Sequence, residues 1–244
     1  MKIGLFGDSF GAPTKTYTAG DPNHVMQYHW STLLANDLGA TVSVEAVSGS
    51  SLYYSFMKFL KSHHLYDTIF FVVTDCGRYP TPITTDMFIT GLEQITHLKK
   101  TADDILNKEL DRVSGWFTGN SYEFLINSSD LMIEKILHLR PDTILVPVNE
   151  GSMSPQKFKE IGLNPANNLL NLYYEQIAQL DIPNDSLNVT RVESPEYISG
   201  HFVPEMHEHF YKIFRHRYDS GVWDWKNPPK LKFKHTAEQY YPFD

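Results

Sequence analysis

Short apolar runs alternate along the chain with stretches whose apolar positions recur every three or four residues. That alternation predicts strands joined by crossover helices in a mostly parallel sheet. Residues 2–6 predict the first strand. After a Gly/Pro/Thr loop, residues 23–38 place Val25, Trp30, Leu33, Leu34 and Leu38 at helical spacing and stop at Gly39, a residue suited to a helix C-cap. Residues 41–47 alternate as a second strand, and residues 51–60 form a helix with Tyr53, Phe56, Met57 and Leu60 on one side. Residues 67–74 hold the unbroken run Ile-Phe-Phe-Val-Val, expected of a central strand covered on both faces. Residues 142–148 resemble it, and residues 188–192 form a weaker fifth strand. Helices over residues 121–139, 165–180 and 203–217 would cover the sheet. The expected fold class is α/β, a three-layer α/β/α sandwich around a mostly parallel sheet.

Residues 78–119 fit this scheme least, because Pro80 and Pro82 open a long stretch before the next clear helix. A lid or an insertion is expected there. No shift in composition marks a second domain, so residues 1–217 are read as one α/β domain. Residues 218–244, a tail rich in aromatics, Pro and Lys, are expected to pack on the body or on a protein assembly partner. No internal repeat is present.

Hydrophobic residues at 41% and charged ones at 20% are ordinary for a globular chain. The net charge of −8 argues against nucleic acid as a partner, because phosphate binding needs clustered Lys and Arg. The one basic run, Lys226 to Lys234, reads as a solvated edge. A single cysteine, Cys76, excludes an internal disulfide and fits a reducing compartment. The opening apolar run ends at Gly7, too short for a signal peptide, and no apolar stretch reaches the length of a membrane span. A cytoplasmic or virion-associated protein is expected, and the sequons at Asn127 and Asn188 read as chance matches.

In an open parallel sheet, ligands meet the carboxyl ends of the strands. The first such turn is Gly7-Asp8-Ser9-Phe10-Gly11, a serine among glycines that permit tight geometry. A hydroxyl needs a base to become a nucleophile. A histidine suited to that part lies in Ser199-Gly200-His201-Phe202-Val203-Pro204, just before the last helix.

These residues resemble the SGNH/GDSL hydrolase family, whose fold is flavodoxin-like, and its phage-encoded members in particular. The family's first block is similar to Gly7-Asp8-Ser9, which implies Ser9 as nucleophile and its amide as an oxyanion donor. The second block is similar to Val47-Ser48-Gly49-Ser50-Ser51, which implies that the Gly49 amide is a second donor. The third block supplies an asparagine after the third strand, and Asp75 takes that place within Thr74-Asp75-Cys76-Gly77-Arg78. The fifth block pairs an acid with a histidine three residues later, and His201 resembles that histidine. The resemblance implies hydrolysis of an ester on a small molecule or carbohydrate, an O-acetyl group among the options, with no metal or organic cofactor.

Two positions depart from the pattern. Ile198 stands where the family has Asp, which leaves Glu196 or Glu193 to orient the imidazole, or a Ser-His dyad with a carbonyl in that role. An ionised Asp75 accepts hydrogen bonds and donates none, so it stands at the oxyanion position without supplying a donor. Arg78 would offset this by pairing with Asp75 or by facing the oxyanion. These departures carry a rival expectation, an inactive domain serving a larger, viral assembly through its tail. Transfer of the acyl group to an acceptor other than water would use the same residues. His201, His207 and His209 with Glu205 invite a metal, but His207 and His209 point apart on a helix and read as surface residues. Cys76 lacks a neighbouring base and reads as a buried or half-buried thiol.

Overall fold

The structure, a computed structural model, describes residues 1–8, 10–11, 29–47, 49–83, 89, 91–180, 203–225 and 230–233. Two compact units divide the chain, residues 1–12 with 43–165 and residues 13–42 with 166–244. The architecture is α/β. Four strands, β1 (Lys2–Phe6), β2 (Thr41–Val44), β3 (Thr68–Val73) and β4 (Ile144–Pro147), form an all-parallel sheet in the order β2-β1-β3-β4. With eight helices among the described residues, this is the content of the expected three-layer α/β/α fold. Among the described residues no helix is long and apolar enough to cross a membrane.

The first unit is built on β3. Ile69, Phe70, Phe71, Val72 and Val73 are at most 1% exposed, which explains why that stretch is apolar without alternation. Helix α2 (Leu52–Ser62) packs on β1 and against α5 (Tyr122–Leu139). Beneath α2, Phe6 stacks on Phe71 with centroids 6.0 Å apart, and Phe59 meets both rings edge-on. Both helices begin where a serine supplies the cap: Ser51 accepts from Tyr54 N and Ser121 from Phe124 N.

Residues 78–119 form an insertion with a small core of their own. Helix α3 (Leu92–Leu98) packs on α4 (Asp104–Gly119), and Tyr79, Ile83, Ile89, Ile95, Leu110 and Val113 are buried between them. Trp116 meets Tyr79 edge-on at 5.5 Å. A short helix, α6 (Pro155–Glu160), starts at Ser154 with proline in its first turn.

At the amino end of the sheet Arg140 ties residues 63–67 to Asp142. Its Nη1 donates to the carbonyls of His63 and Tyr66 (2.8 and 2.9 Å), and Nη2 donates to that of Asp67 (3.3 Å). Nε and Nη2 also grip the Asp142 carboxylate at 3.0 and 2.9 Å, and this hydrogen bonding holds the Asp142 carboxyl below its ordinary pKa. A lysine ammonium cannot span that fork. Arg140→Lys is expected to cost about 1–2 kcal/mol in urea unfolding. A loss under about 0.3 kcal/mol would show the fork to be incidental.

In the second unit, α1 (Trp30–Leu38) packs on α8 (Pro204–Ser220), and α7 (Leu169–Gln179) belongs to the same unit. Trp30 is fully buried and stacks on Phe214 at 4.3 Å. His207 is 4% exposed, its ring lies 4.7 Å from that of His29, and its Nδ1 accepts from Trp30 N at 3.4 Å. The expectation of a surface histidine is therefore wrong at position 207. It shares the buried face of α8 with Phe210 and Phe214, three and seven residues on. Of the tail, Trp223 and Trp225 pack edge-on against Phe214 and Phe210. The fifth strand over 188–192, the start of the helix over 23–38 and most of the basic run lie outside the described residues.

Candidate functional site

In the order β2-β1-β3-β4 the chain leaves β1 toward β2 on one side and leaves β3 toward β4 on the other, which opens a crevice at the carboxyl ends of β1 and β3. Gly7, the first residue past β1, has φ 122°, and a Cβ there would sit 2.5 Å from Val72 Cβ and the Val72 carbonyl oxygen. Only glycine fits this approach. Asp8 follows, fully buried. Its Oδ1 accepts from Phe10 N and its carbonyl from Gly11 N, both at 3.0 Å, so the segments on either side of position 9 are bound to each other.

Arg78, just past β3, crosses the crevice to Asp8, with Nη1 3.0 Å from Oδ2. The same nitrogen donates to the Ser50 carbonyl at 3.1 Å, and Oδ2 takes no well-aligned hydrogen bond from any described residue. The contact is therefore charge pairing more than a directed bond. Of the two placements open to Arg78, pairing with Asp75 is therefore not the one found. A fully buried carboxylate needs a counter-charge, whereas Asp75 is satisfied elsewhere.

The loop after β2 is tied to the same crevice. Gly49 has φ 72°, in the left-handed region, and its amide donates to no described residue. Ser50 Oγ donates to the Gly7 carbonyl at 3.0 Å, which also accepts from Val47 N at 2.9 Å. Ser51 caps α2 and donates to the Pro80 carbonyl at 2.7 Å, joining the loop to the insertion.

Asp75 lies at the carboxyl end of β3 with both oxygens accepting: Oδ1 from Gly77 N at 2.6 Å and Oδ2 from Asn149 Nδ2 at 2.7 Å. Asn149, just past β4, also caps the short turn Glu150–Ser152. Sequence reasoning missed Asn149 as part of this cluster. The signal was present, since it directly follows the fourth apolar run and so falls at a strand's carboxyl end. Ser9, His201, Glu193 and Glu196 lie outside the described residues.

Beside these turns, within the first unit, is a cavity of about 210 Å³. Leu52, Tyr53, Pro80, Trp116, Phe124, Leu125 and Met132 line it, together with Ser51, Ser128, Ser129, Cys76 and Arg78. Burial, and next the charge of Asp75, push the Cys76 thiol up to about 12. It is a neutral, half-buried thiol at ordinary pH. Iodoacetamide is therefore expected to alkylate Cys76 at least roughly tenfold more slowly than a free cysteine at pH 8, with the rate still climbing above pH 10. Alkylation at the free-thiol rate would contradict this burial.

Compared with known proteins, the chain matches no family model and no curated sequence.

Proposed function

We propose that the protein is a serine hydrolase that cleaves a carboxylic ester through an acyl-enzyme on Ser9, with His201 as base. What carries this reading is the convergence at the sheet's switch point. There the glycine-lined turn after β1, stapled around position 9 by Asp8, stands beside a Gly49 amide that donates to no described residue. His201 takes the hydroxyl proton as Ser9 Oγ attacks the ester carbon, and the oxyanion is held by the amides of Ser9 and Gly49. The alcohol leaves with the proton from His201. Water, deprotonated by the same imidazole, then cleaves the acyl-enzyme and frees Ser9. Glu196 or Glu193 is the residue proposed to orient His201, a backbone carbonyl serving in their absence.

Asp75 takes no part as an oxyanion donor, since both of its oxygens accept from Gly77 and Asn149. Losing one donor of that kind costs about 3 kcal/mol of transition-state stabilisation, so a slow enzyme is expected. The same observation favours the second reading, a catalytically weak domain that serves as a structural or binding component, with the tail as its contact. A fluorophosphonate probe separates the two because it reports an activated serine without the natural substrate. Labelling of the folded native chain supports the hydrolase. Absence of labelling from pH 5 to 9 favours the binding component.

A further inference from the structure

The cavity in the first unit has a composition that selects its occupant. About 150 Å³ accommodates benzene, so 210 Å³ accommodates a group of roughly eight carbon atoms. Most of its walls are apolar. Its three serine hydroxyls already donate to backbone carbonyls, Ser51 to Pro80, Ser128 to Phe124 and Ser129 to Ser152, at 2.7, 2.8 and 2.6 Å, which leaves Tyr53 as the one further hydroxyl of the lining among the described residues. A sugar placed there would find too few partners for its several hydroxyls, at a cost of about 1–3 kcal/mol for each one buried unpaired. Arg78 is the one charged residue of the lining among the described residues. Its charge is matched by Asp8 and its Nη1 is taken up by Asp8 and the Ser50 carbonyl, while Nε and Nη2 donate to no described residue. The matching ligand has an apolar body and one hydrogen-bond acceptor end.

Arg78 also connects the cavity to the chemistry. Its guanidinium pairs with Asp8, the chain neighbour of Ser9, while its side chain lines the cavity. We propose that this cavity is an acyl pocket that takes a medium-length aliphatic or aryl acyl chain of roughly eight carbons, its carbonyl or carboxylate end toward Arg78. The word acyl rests on the ester-hydrolase reading. Occupancy by a fatty-acid-like chain does not.

The insertion and α5 set the length of the pocket, so its size can be changed in both directions without touching the turns at the strand ends. Ser128→Phe fills it, and Trp116→Ala extends it. With p-nitrophenyl esters from acetyl to dodecanoyl, the native enzyme is expected to favour octanoyl. Ser128→Phe should lower the octanoyl-to-acetyl ratio of kcat/KM at least tenfold, and Trp116→Ala should move the optimum to longer chains. Sodium octanoate should also bind the Ser9→Ala variant in titration calorimetry, and Ser128→Phe should abolish that binding. This second measurement needs no catalysis and no pocket variant to establish occupancy. Octanoate binding with no ester cleaved would sink the hydrolase and leave the pocket standing. Esterase activity with a flat or acetyl-preferring profile and no octanoate binding would overturn the pocket and leave the hydrolase. A chain-length optimum that neither variant moves also overturns it.

Discussion

Ser9→Ala is expected to lower ester hydrolysis at least about 10³-fold and to abolish fluorophosphonate labelling. The loss is large because no other group in the turn can form the acyl-enzyme: Asp8 is buried and engaged with Phe10 and Arg78, and Phe10 is apolar. What remains is water attack assisted by backbone amides, which sustains only a small part of the rate. Stability should stay within about 0.5 kcal/mol of the native value. The contacts that bind the segments around position 9 come from the Asp8 carboxylate and carbonyl, and those are untouched. A variant that retains more than a tenth of native turnover would remove Ser9 from the mechanism, and a variant that unfolds would decide nothing about chemistry. Urea unfolding therefore has to accompany the assay.

Arg78→Ala is expected to destabilise the fold by about 3 kcal/mol. Asp8 is fully buried, and with Arg78 gone its charge would keep, among the described residues, only the Phe10 amide and whatever water enters. The Arg78 side chain is 17% exposed, so some water can follow it, which places the cost at the lower end for a broken buried pair. The Ser50 carbonyl also loses a donor. Adding Asp8→Asn to Arg78→Ala should recover roughly half of the loss, because the buried charge is then removed along with its partner. A loss below about 1 kcal/mol for Arg78→Ala alone, or no recovery in the double variant, would show that Asp8 does not depend on this cation.

How much of this was legible in the sequence follows the range of the interactions. Periodicity and caps are local, so β1, β3, α2, α5 and α8 lie where the apolar pattern puts them, to within about three residues at each end. The insertion was obscured by Pro80 and Pro82, although Leu106, Leu110, Val113 and Phe117 repeat at helical spacing behind an Asp103 cap and could have revealed α4. Helix α6 is short and offers only its Ser-Pro start. Contacts between strand ends leave no such trace. Asp75 meets Asn149 across 74 positions, and only the sheet order brings them together. The pairing of Arg78 with Asp8 instead of Asp75 was undecided for the same reason, since nothing near Arg78 in the chain states which carboxylate is buried. His207 was misread because a polar residue at a helical position was counted as surface without comparing its phase with Phe210 and Phe214.

The order of the strands has a consequence for how the protein is made. Phe70 and Phe71 of β3 pair with Ile144 and Leu145 of β4, and roughly seventy residues must be translated between them. At ribosomal speeds of about 5–20 residues per second, β3 waits on the order of 4–14 s with one edge unpaired. During that interval the most apolar strand of the chain is a template for its own copies on neighbouring ribosomes. The insertion emerges within the same interval and, holding its own small core, offers the nascent chain an early local structure before the sheet can close. Yield in a cell should then depend on chaperones that shield β3, even where the finished protein is stable.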